Sequence, residues 1–238
     1  MRSAALLLPL LASGCVAFAA SGETVTFDFS NAPPFTPLPV AVSVAGLTAS
    51  LTATGQGYSI QQSNVLGFNP VGFSGLCVYP SSVFPADLNV SFNKTLTAFS
   101  ALVAVQDLAC DNGSTMKVTA MLNGTAVGTA TAVAPPDFTW PSMTLAITVP
   151  GGFNSVVIHY QSPPPGCGDW GPIFMADNMV ATVAAAPVGD LNGDFHVNAA
   201  DLGILLGAWG TANAASDLNH NGTVEAADLS LLLGAWTG

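Results

Sequence analysis

A duplication within the last fifty residues constrains this chain more than any other feature. Asp190-Leu-Asn-Gly-Asp-Phe-His-Val-Asn-Ala-Ala-Asp201 runs into Leu-Gly-Ile-Leu-Leu-Gly-Ala-Trp209. Twenty-seven residues later, Asp217-Leu-Asn-His-Asn-Gly-Thr-Val-Glu-Ala-Ala-Asp228 runs into Leu-Ser-Leu-Leu-Leu-Gly-Ala-Trp236. Of the 20 aligned positions in 190–209 and 217–236, 13 are identical. A repeat that close is one supersecondary unit used twice.

Each unit opens with twelve residues spaced as a calcium loop. Calcium is a hard cation that takes six to eight oxygens, and such a loop supplies them from positions 1, 3, 5, 7, 9 and 12. In the first unit these are Asp190, Asn192, Asp194, the backbone carbonyl of His196, Asn198 and Asp201. In the second they are Asp217, Asn219, Asn221, the carbonyl of Thr223, Glu225 (through a water) and Asp228. Position 8 is Val197 or Val224, which predicts a short β-bridge pairing the two loops. Position 12 is expected to lead into a helix. Leu202, Leu205, Leu206 and Trp209 fall at helical spacing, and Leu229, Leu232, Leu233 and Trp236 repeat them.

Charge placement sharpens the metal reading. Residues 189–238 contain six acids and no Lys or Arg, and all six acids occupy ligand positions. A solvated acidic face would scatter its carboxylates over the helices and mix in Lys. Like charges gathered without a counter-charge need a cation to fold compactly.

The arrangement Asp-x-Asn-x-(Asp/Asn)-x-x-Val-x-Ala-Ala-Asp-Leu, present twice, resembles a type I dockerin domain. The resemblance covers about 50 of the 238 residues. It implies a small α-helical module of paired EF-hand-like (F-hand) repeats that binds two Ca²⁺, one per loop. It also implies docking onto a cohesin-like domain in extracellular polysaccharide-degrading assemblies. Three features depart from the family pattern. Loop position 6, where a sharp turn favours Gly, is Gly222 in the second loop but Phe195 in the first, which predicts a weaker or distorted first loop. Positions 10 and 11 are Ala199-Ala200 and Ala226-Ala227, not Ser-Thr. The helices also lack the Lys and Arg that often flank a cohesin contact.

Residues 1–20 begin with one cation, continue as an apolar run and end in small residues. That is the pattern of a secretory signal peptide, too short to span a membrane. Ala17-Phe-Ala19 suits cleavage, while Leu11-Ala-Ser-Gly14-Cys15 resembles a lipobox that would anchor a lipoprotein through Cys15. Either route predicts a secreted or cell-surface protein, with no membrane attachment unless Cys15 is lipidated.

Half the residues are apolar and only 7% are charged, so a sizeable core can form. Lys94 and Lys117 are the only basic residues after Arg2, which excludes nucleic-acid binding through phosphate contacts. In an oxidising compartment Cys77, Cys110 and Cys167 should give one disulfide and one free thiol, with three pairings open.

Between the leader and the repeat, short runs of alternating or β-branched residues predict strands near 24–29, 39–45, 47–54, 88–92, 95–106, 115–122, 125–133, 143–149, 154–160 and 173–183. Asn123-Gly124 is a two-residue hairpin signal, and Asn112-Gly113 and Gly151-Gly152 are further turns. Residues 61–86, rich in Gly, Pro, Phe and Asn, read as irregular. The expectation is a mainly β protein: a jelly-roll-like antiparallel β-sandwich over 21–184, a linker at 185–188 and the dockerin-like module at 189–238. The sandwich loosely resembles carbohydrate-binding modules.

Within the sandwich, Trp140, Tyr160 and Trp170 beside Pro/Gly loops read first as core or loop anchors, with stacking on a polysaccharide as the alternative. Asp28 and Asp177-Asn178 read as turn or edge chemistry, and they loosely resemble a structural calcium arrangement in some jelly-roll carbohydrate-binding modules. No paired carboxylates stand in a local glycosidase pattern, and no Gly-x-Ser-x-Gly elbow or phosphate loop occurs. His159, alone in its strand, reads as structural. The chain therefore reads as a non-catalytic binding or structural protein. The alternatives are a carbohydrate-binding component of a polysaccharide-degrading system and a small secreted hydrolase or lyase.

Overall fold

Alternation of apolar and polar residues builds the strands of the body, and two bent strands carry it from one layer to the next. The computed structural model describes residues 22–55, 57–106, 113–136, 140–163, 166–167 and 173–237. The expected leader with Cys15, together with Cys110, Asn112 and Trp170, lies outside the described residues.

The ten strands are β1 (Thr24–Phe27), β2 (Val40–Val44), β3 (Leu47–Ala53), β4 (Tyr58–Gln62), β5 (Leu76–Pro80), β6 (Leu88–Gln106), β7 (Thr115–Leu122), β8 (Thr125–Val133), β9 (Ser142–Ser162) and β10 (Ile173–Val183). They pair antiparallel in the order β4-β5-β10-β6-β9-β7-β8, with β1 beside β10 and the β2–β3 hairpin attached to β6. Asn123 and Gly124 turn the β7–β8 hairpin with φ of +50° and +83°. Positive φ at both positions is what a two-residue turn between twisted strands requires.

Two readings of the sequence are corrected. The runs 88–92 and 95–106 are one strand, β6, and the runs 143–149 and 154–160 are one strand, β9. The expected Gly151-Gly152 turn is a bulge inside β9: Phe153 faces Leu96, and the next partners are Thr148 and Ala98. Gly152 has φ +84°, and a Cβ there would lie 2.6 Å from Thr95 Cγ2, so the bend needs Gly. The stretch 61–86, read as irregular, contains β5 and the end of β4. Leu76, Cys77 and Val78 are buried on consecutive positions, so both faces are covered and no alternation is visible.

One large core lies on the inner face, where Phe27, Phe29, Phe99, Phe153 and Phe174 are almost fully buried. Each such side chain stabilises the fold by roughly 1.5–3 kcal/mol. A second cluster of Phe73, Cys77, Ala104, Trp140, Ile173 and Met175 covers the opposite face of β5, β10 and β6. Cys77 is a buried free thiol, which removes both disulfide pairings that use it, and Cys167 is disulfide-bonded.

The tail adds helices α1 (Ala199–Gly207) and α2 (Ala226–Gly234). Each starts two residues before loop position 12, so Asp201 and Asp228 lie inside the first turn and do not precede it. Val197, Leu205, Ala208, Val224 and Leu232 form the tail's small core. Among the described residues, no helix is long and apolar enough to cross a membrane.

Candidate metal centre

Each loop is held open by its own side-chain oxygens, which accept hydrogen bonds from its backbone N–H groups. In the first loop, Asp190 Oδ1 accepts from Gly193 N at 2.7 Å and Oδ2 from Phe195 N at 2.9 Å. Asn192 Oδ1 accepts from Asp194 N at 2.9 Å, and Asp194 Oδ1 from His196 N at 2.8 Å. Asp201 closes the ring: Oδ1 accepts from Leu191 N at 2.8 Å and Oδ2 from Asn198 N at 2.9 Å. Asn198 Oδ1 caps α1 through Ala200 N at 2.8 Å. One ligand oxygen from each of Asp190, Asp194 and Asp201 lies within 4.8 Å of the others, a group that could hold a metal ion.

The second loop repeats the wiring. Asp217 Oδ2 accepts from Gly222 N at 2.7 Å, and Asn219 Oδ1 from Asn221 N at 2.9 Å. Asn221 Oδ1 accepts from Thr223 N at 3.0 Å. Asp228 Oδ1 accepts from Asn219 N at 3.0 Å and Oδ2 from Glu225 N at 2.8 Å. Asn221 replaces the position-5 carboxylate, and its Nδ2 donates to Glu225 Oε1 at 3.0 Å. The position-9 carboxylate of this loop is thereby drawn toward position 5.

The turn at position 6 is made in both loops despite the different residues. Phe195 and Gly222 have φ of +65° and +96°, and each donates its N–H to the position-1 carboxylate. Phe195 therefore adopts the required turn with backbone strain. The expected bridge between Val197 and Val224 does not form. Val224 exchanges backbone hydrogen bonds with Gly210 and Thr211, which follow α1, and Val197 pairs with Thr237, which follows α2. Each loop is thus laced to the residues after the two helices. The signal was the polar Thr shortly after each Trp, at 211 and 237, just outside the aligned block.

The electrostatics favour ionised loops. Asn192 beside Asp194, followed by the His196 N–H, holds that carboxyl below the ordinary range. Burial pushes Asp201 up, but N–H groups of Asn198, Leu191 and Asn192 outweigh it and the net direction is down. The Glu225 N–H leads the lowering at Asp228, with Asn219 and Leu218 adding to it against burial. Carboxylates kept anionic at neutral pH are the form a divalent cation needs.

The candidate residues of the body are placed differently. Trp140 is 3% exposed and stacks on Tyr79 with ring centroids 6.3 Å apart. Tyr160 is buried, and its hydroxyl donates to Ser114 Oγ at 2.9 Å. Neither ring is a free platform for a sugar. His159 Nδ1 pairs with Asp87 Oδ1 at 2.5 Å on the surface. Asp177 is buried, contrary to an edge reading.

No curated protein matches the chain. Among solved structures, the K1 cleaved adhesin domain of Lys-gingipain from Porphyromonas gingivalis matches at 16% identity and TM-score 0.41, covering 69% of this chain and 100% of that one. A family 6 carbohydrate-binding module matches at 13% identity and TM-score 0.31, covering 56% and 86%. A family 29 carbohydrate-binding module matches at 11% identity and TM-score 0.34, covering 68% and 91%. At these scores the likeness carries no weight for function. The repeat is a different matter: residues 188–234, spanning both loops and both helices, match the family model of the Dockerin type I domain.

Proposed function

We propose that the chain is an exported, non-catalytic attachment protein whose tail binds two Ca²⁺ and docks a cohesin-type domain. The setting would be an extracellular, polysaccharide-related assembly. The single observation that carries this is the matched wiring of the loops. Asp190 with Asp201, and Asp217 with Asp228, accept from corresponding backbone N–H groups in the segment that matches the dockerin model, and in the first loop the carboxylates of Asp190, Asp194 and Asp201 also converge. The first ion would take Asp190, Asn192, Asp194, the His196 carbonyl, Asn198 and Asp201. The second would take Asp217, Asn219, Asn221, the Thr223 carbonyl, Glu225 and Asp228. Calcium supplies the counter-charge that the tail lacks, because residues 189–238 hold six acids and no Lys or Arg.

The helices suit a partner as well as a core. Leu206 and Leu233 are each 51% exposed, and Trp209 and Trp236 are 44% and 41% exposed. These related positions put large apolar groups in water on both halves of the module, which marks an interaction surface. The test uses the full chain. Calcium should strongly slow amide exchange in 190–237, and calcium-loaded protein should co-elute with a type I cohesin domain. EDTA should abolish both effects while leaving exchange in β6 and β9 unchanged. Exchange in the tail that ignores calcium would overturn the metal reading. Calcium-protected tail without cohesin binding would overturn the docking reading alone.

A further inference from the structure

β8 ends the pairing order of the body, and it does so without protection. A strand edge exposes unpaired N–H and C=O groups, and folded proteins shield it with a covering segment, charge, proline or short length. The other strands at the ends of the sheet follow that rule. The far side of β4 is covered by the segment before β2: Phe35 N donates to Ile60 O at 2.8 Å, Ile60 N to Thr36 O at 2.8 Å and Leu38 N to Tyr58 O at 2.9 Å. β1 has four residues, and β2 has five and follows Pro39 directly. β8 has nine residues, Thr-Ala-Val-Gly-Thr-Ala-Thr-Ala-Val, with no Pro and no charge. It pairs with β7 on one side, and on the other its backbone has no backbone partner among the described residues.

The strand is anchored on its inner face, where Ala130 and Ala132 pack against the core and a Cβ on Gly128 would lie 2.9 Å from Val149 Cγ2 of β9. Thr129 and Thr131 are exposed, as are Val127 and Val133 at 40% and 62%. Copies of a chain with net charge −11 repel one another, but the surface of β8 escapes that repulsion, because no residue from 118 to 136 is charged. The strand is also complementary to itself. Opposed residues of antiparallel strands share a face, so a two-fold axis between two copies must fall at a residue position. Centred on Ala130, the pairing sets Thr129 against Thr131 twice and Gly128 against Ala132 twice. It also brings Val133 against Val127, the extra residue of the bulge in β8. Pairs of this kind stabilise a sheet, and none opposes like charges. A foreign peptide strand is selected by side-chain pockets beside the edge, and alternating Thr and Ala build none.

We propose that β8 is the contact strand of a homodimer, in which two copies join β8 to β8 antiparallel across a two-fold axis and continue the sheet from one body into the next. A ladder of nine residues spans about 30 Å. Such a contact lies at the small end of protein interfaces, so the dimer is weak and depends on concentration. The contact uses no residue of the tail, and it can fail without touching the calcium or docking readings.

The experiment uses the full chain with calcium present. Sedimentation equilibrium from about 1 µM to about 1 mM should show the mean mass rising toward twice that of the monomer. Over the same range, amide exchange in β8 should slow about threefold or more while exchange in β6 and β9 stays unchanged. Thr129→Lys with Thr131→Lys sets like charges opposite one another in this register and should keep the chain monomeric. Thr129→Lys with Thr131→Glu sets opposite charges together and should restore association. A wild-type chain still monomeric at about 1 mM would overturn the proposal. So would a dimer that survives the two lysine substitutions, which would place the contact elsewhere, for instance on the exposed Leu and Trp side chains of the tail. Loss of association in both variants would reject the two-fold register. Unchanged exchange in β6 and β9 shows that each variant is folded, and if either is not, the wild-type mass and the protection of β8 still decide the matter.

Discussion

Asp201 and Asp228 in the tail are both 0% exposed, and Asp177 in the body is 1% exposed, yet their surroundings push them in opposite directions. The tail carboxylates receive N–H donors on both oxygens, from Leu191, Asn192 and Asn198 in one loop and from Asn219 and Glu225 in the other. Their acidity is enhanced despite burial. Asp177 has a donor on one oxygen only, and burial wins. Depth and donor supply act together: the tail acids are covered only by the neighbouring turns of a small module and are rich in donors, whereas Asp177 is deep in the body and short of them. The regions also differ in what holds them together. The body has five nearly fully buried Phe side chains, whereas the tail core is five aliphatic residues. A module of about fifty residues with so small a core needs a staple.

The sharpest way to break this contrast is to damage the body's core and watch the tail. Phe153→Ala, at the β6–β9 bend, should cost about 3–5 kcal/mol of body stability by denaturant unfolding. It should leave calcium-dependent exchange in 190–237 unchanged, and loosening there would mean that the two regions share one cooperative unit.

The next test is pH, in EDTA. Asp177 has a folded value of about 7 against an ordinary 3.8, so its protonated form favours the native state. That contribution is full below about 3.8 and is lost as pH rises through about 7, roughly 2–4 kcal/mol in all. Asp194, Asp201 and Asp228 are lowered, so their contribution is present above 3.8 and is lost as pH falls below it. Amide exchange from pH 4 to 8, corrected for intrinsic rates, should show the body weakening across this range while the carboxylate contribution to the tail holds. Asp177→Asn should flatten the body's slope. A body equally stable at pH 4 and pH 8 would sink the account of Asp177.

The smallest expected effect lies inside the tail. Phe195→Gly relieves a left-handed residue and should tighten calcium in the first loop by up to about tenfold, or 1.4 kcal/mol. Stepwise calorimetry on the full chain measures it. An unchanged first-loop affinity would mean that the strained turn costs the loop nothing.

Much of this was legible in the residues because it is local. The hydrogen-bonded loops, the turn at Gly222 and the Asn123-Gly124 hairpin each depend on a few consecutive residues whose backbone preferences are strong. β5 was hidden because Leu76, Cys77 and Val78 are buried on both faces, which erases the period-two pattern. β9 was read as two runs because Gly151-Gly152 signals a turn and a bulge in the same letters, and β6 as two because the polar Asn93-Lys94 interrupts its run at the bend.

The duplicated order of acids along the chain determined, without any coordinates, where a cation can be held in the tail, since every ligand comes from one dodecad. Only the tertiary structure decided that Val197 and Val224 pair with the ends of the helices, that Trp140 and Tyr160 are walled in, and that Asp177 lies at the gap between β5 and β1. These outcomes depend on which distant segments cover a residue. Burial and hydrogen-bond supply are properties of neighbours that a linear reading does not contain.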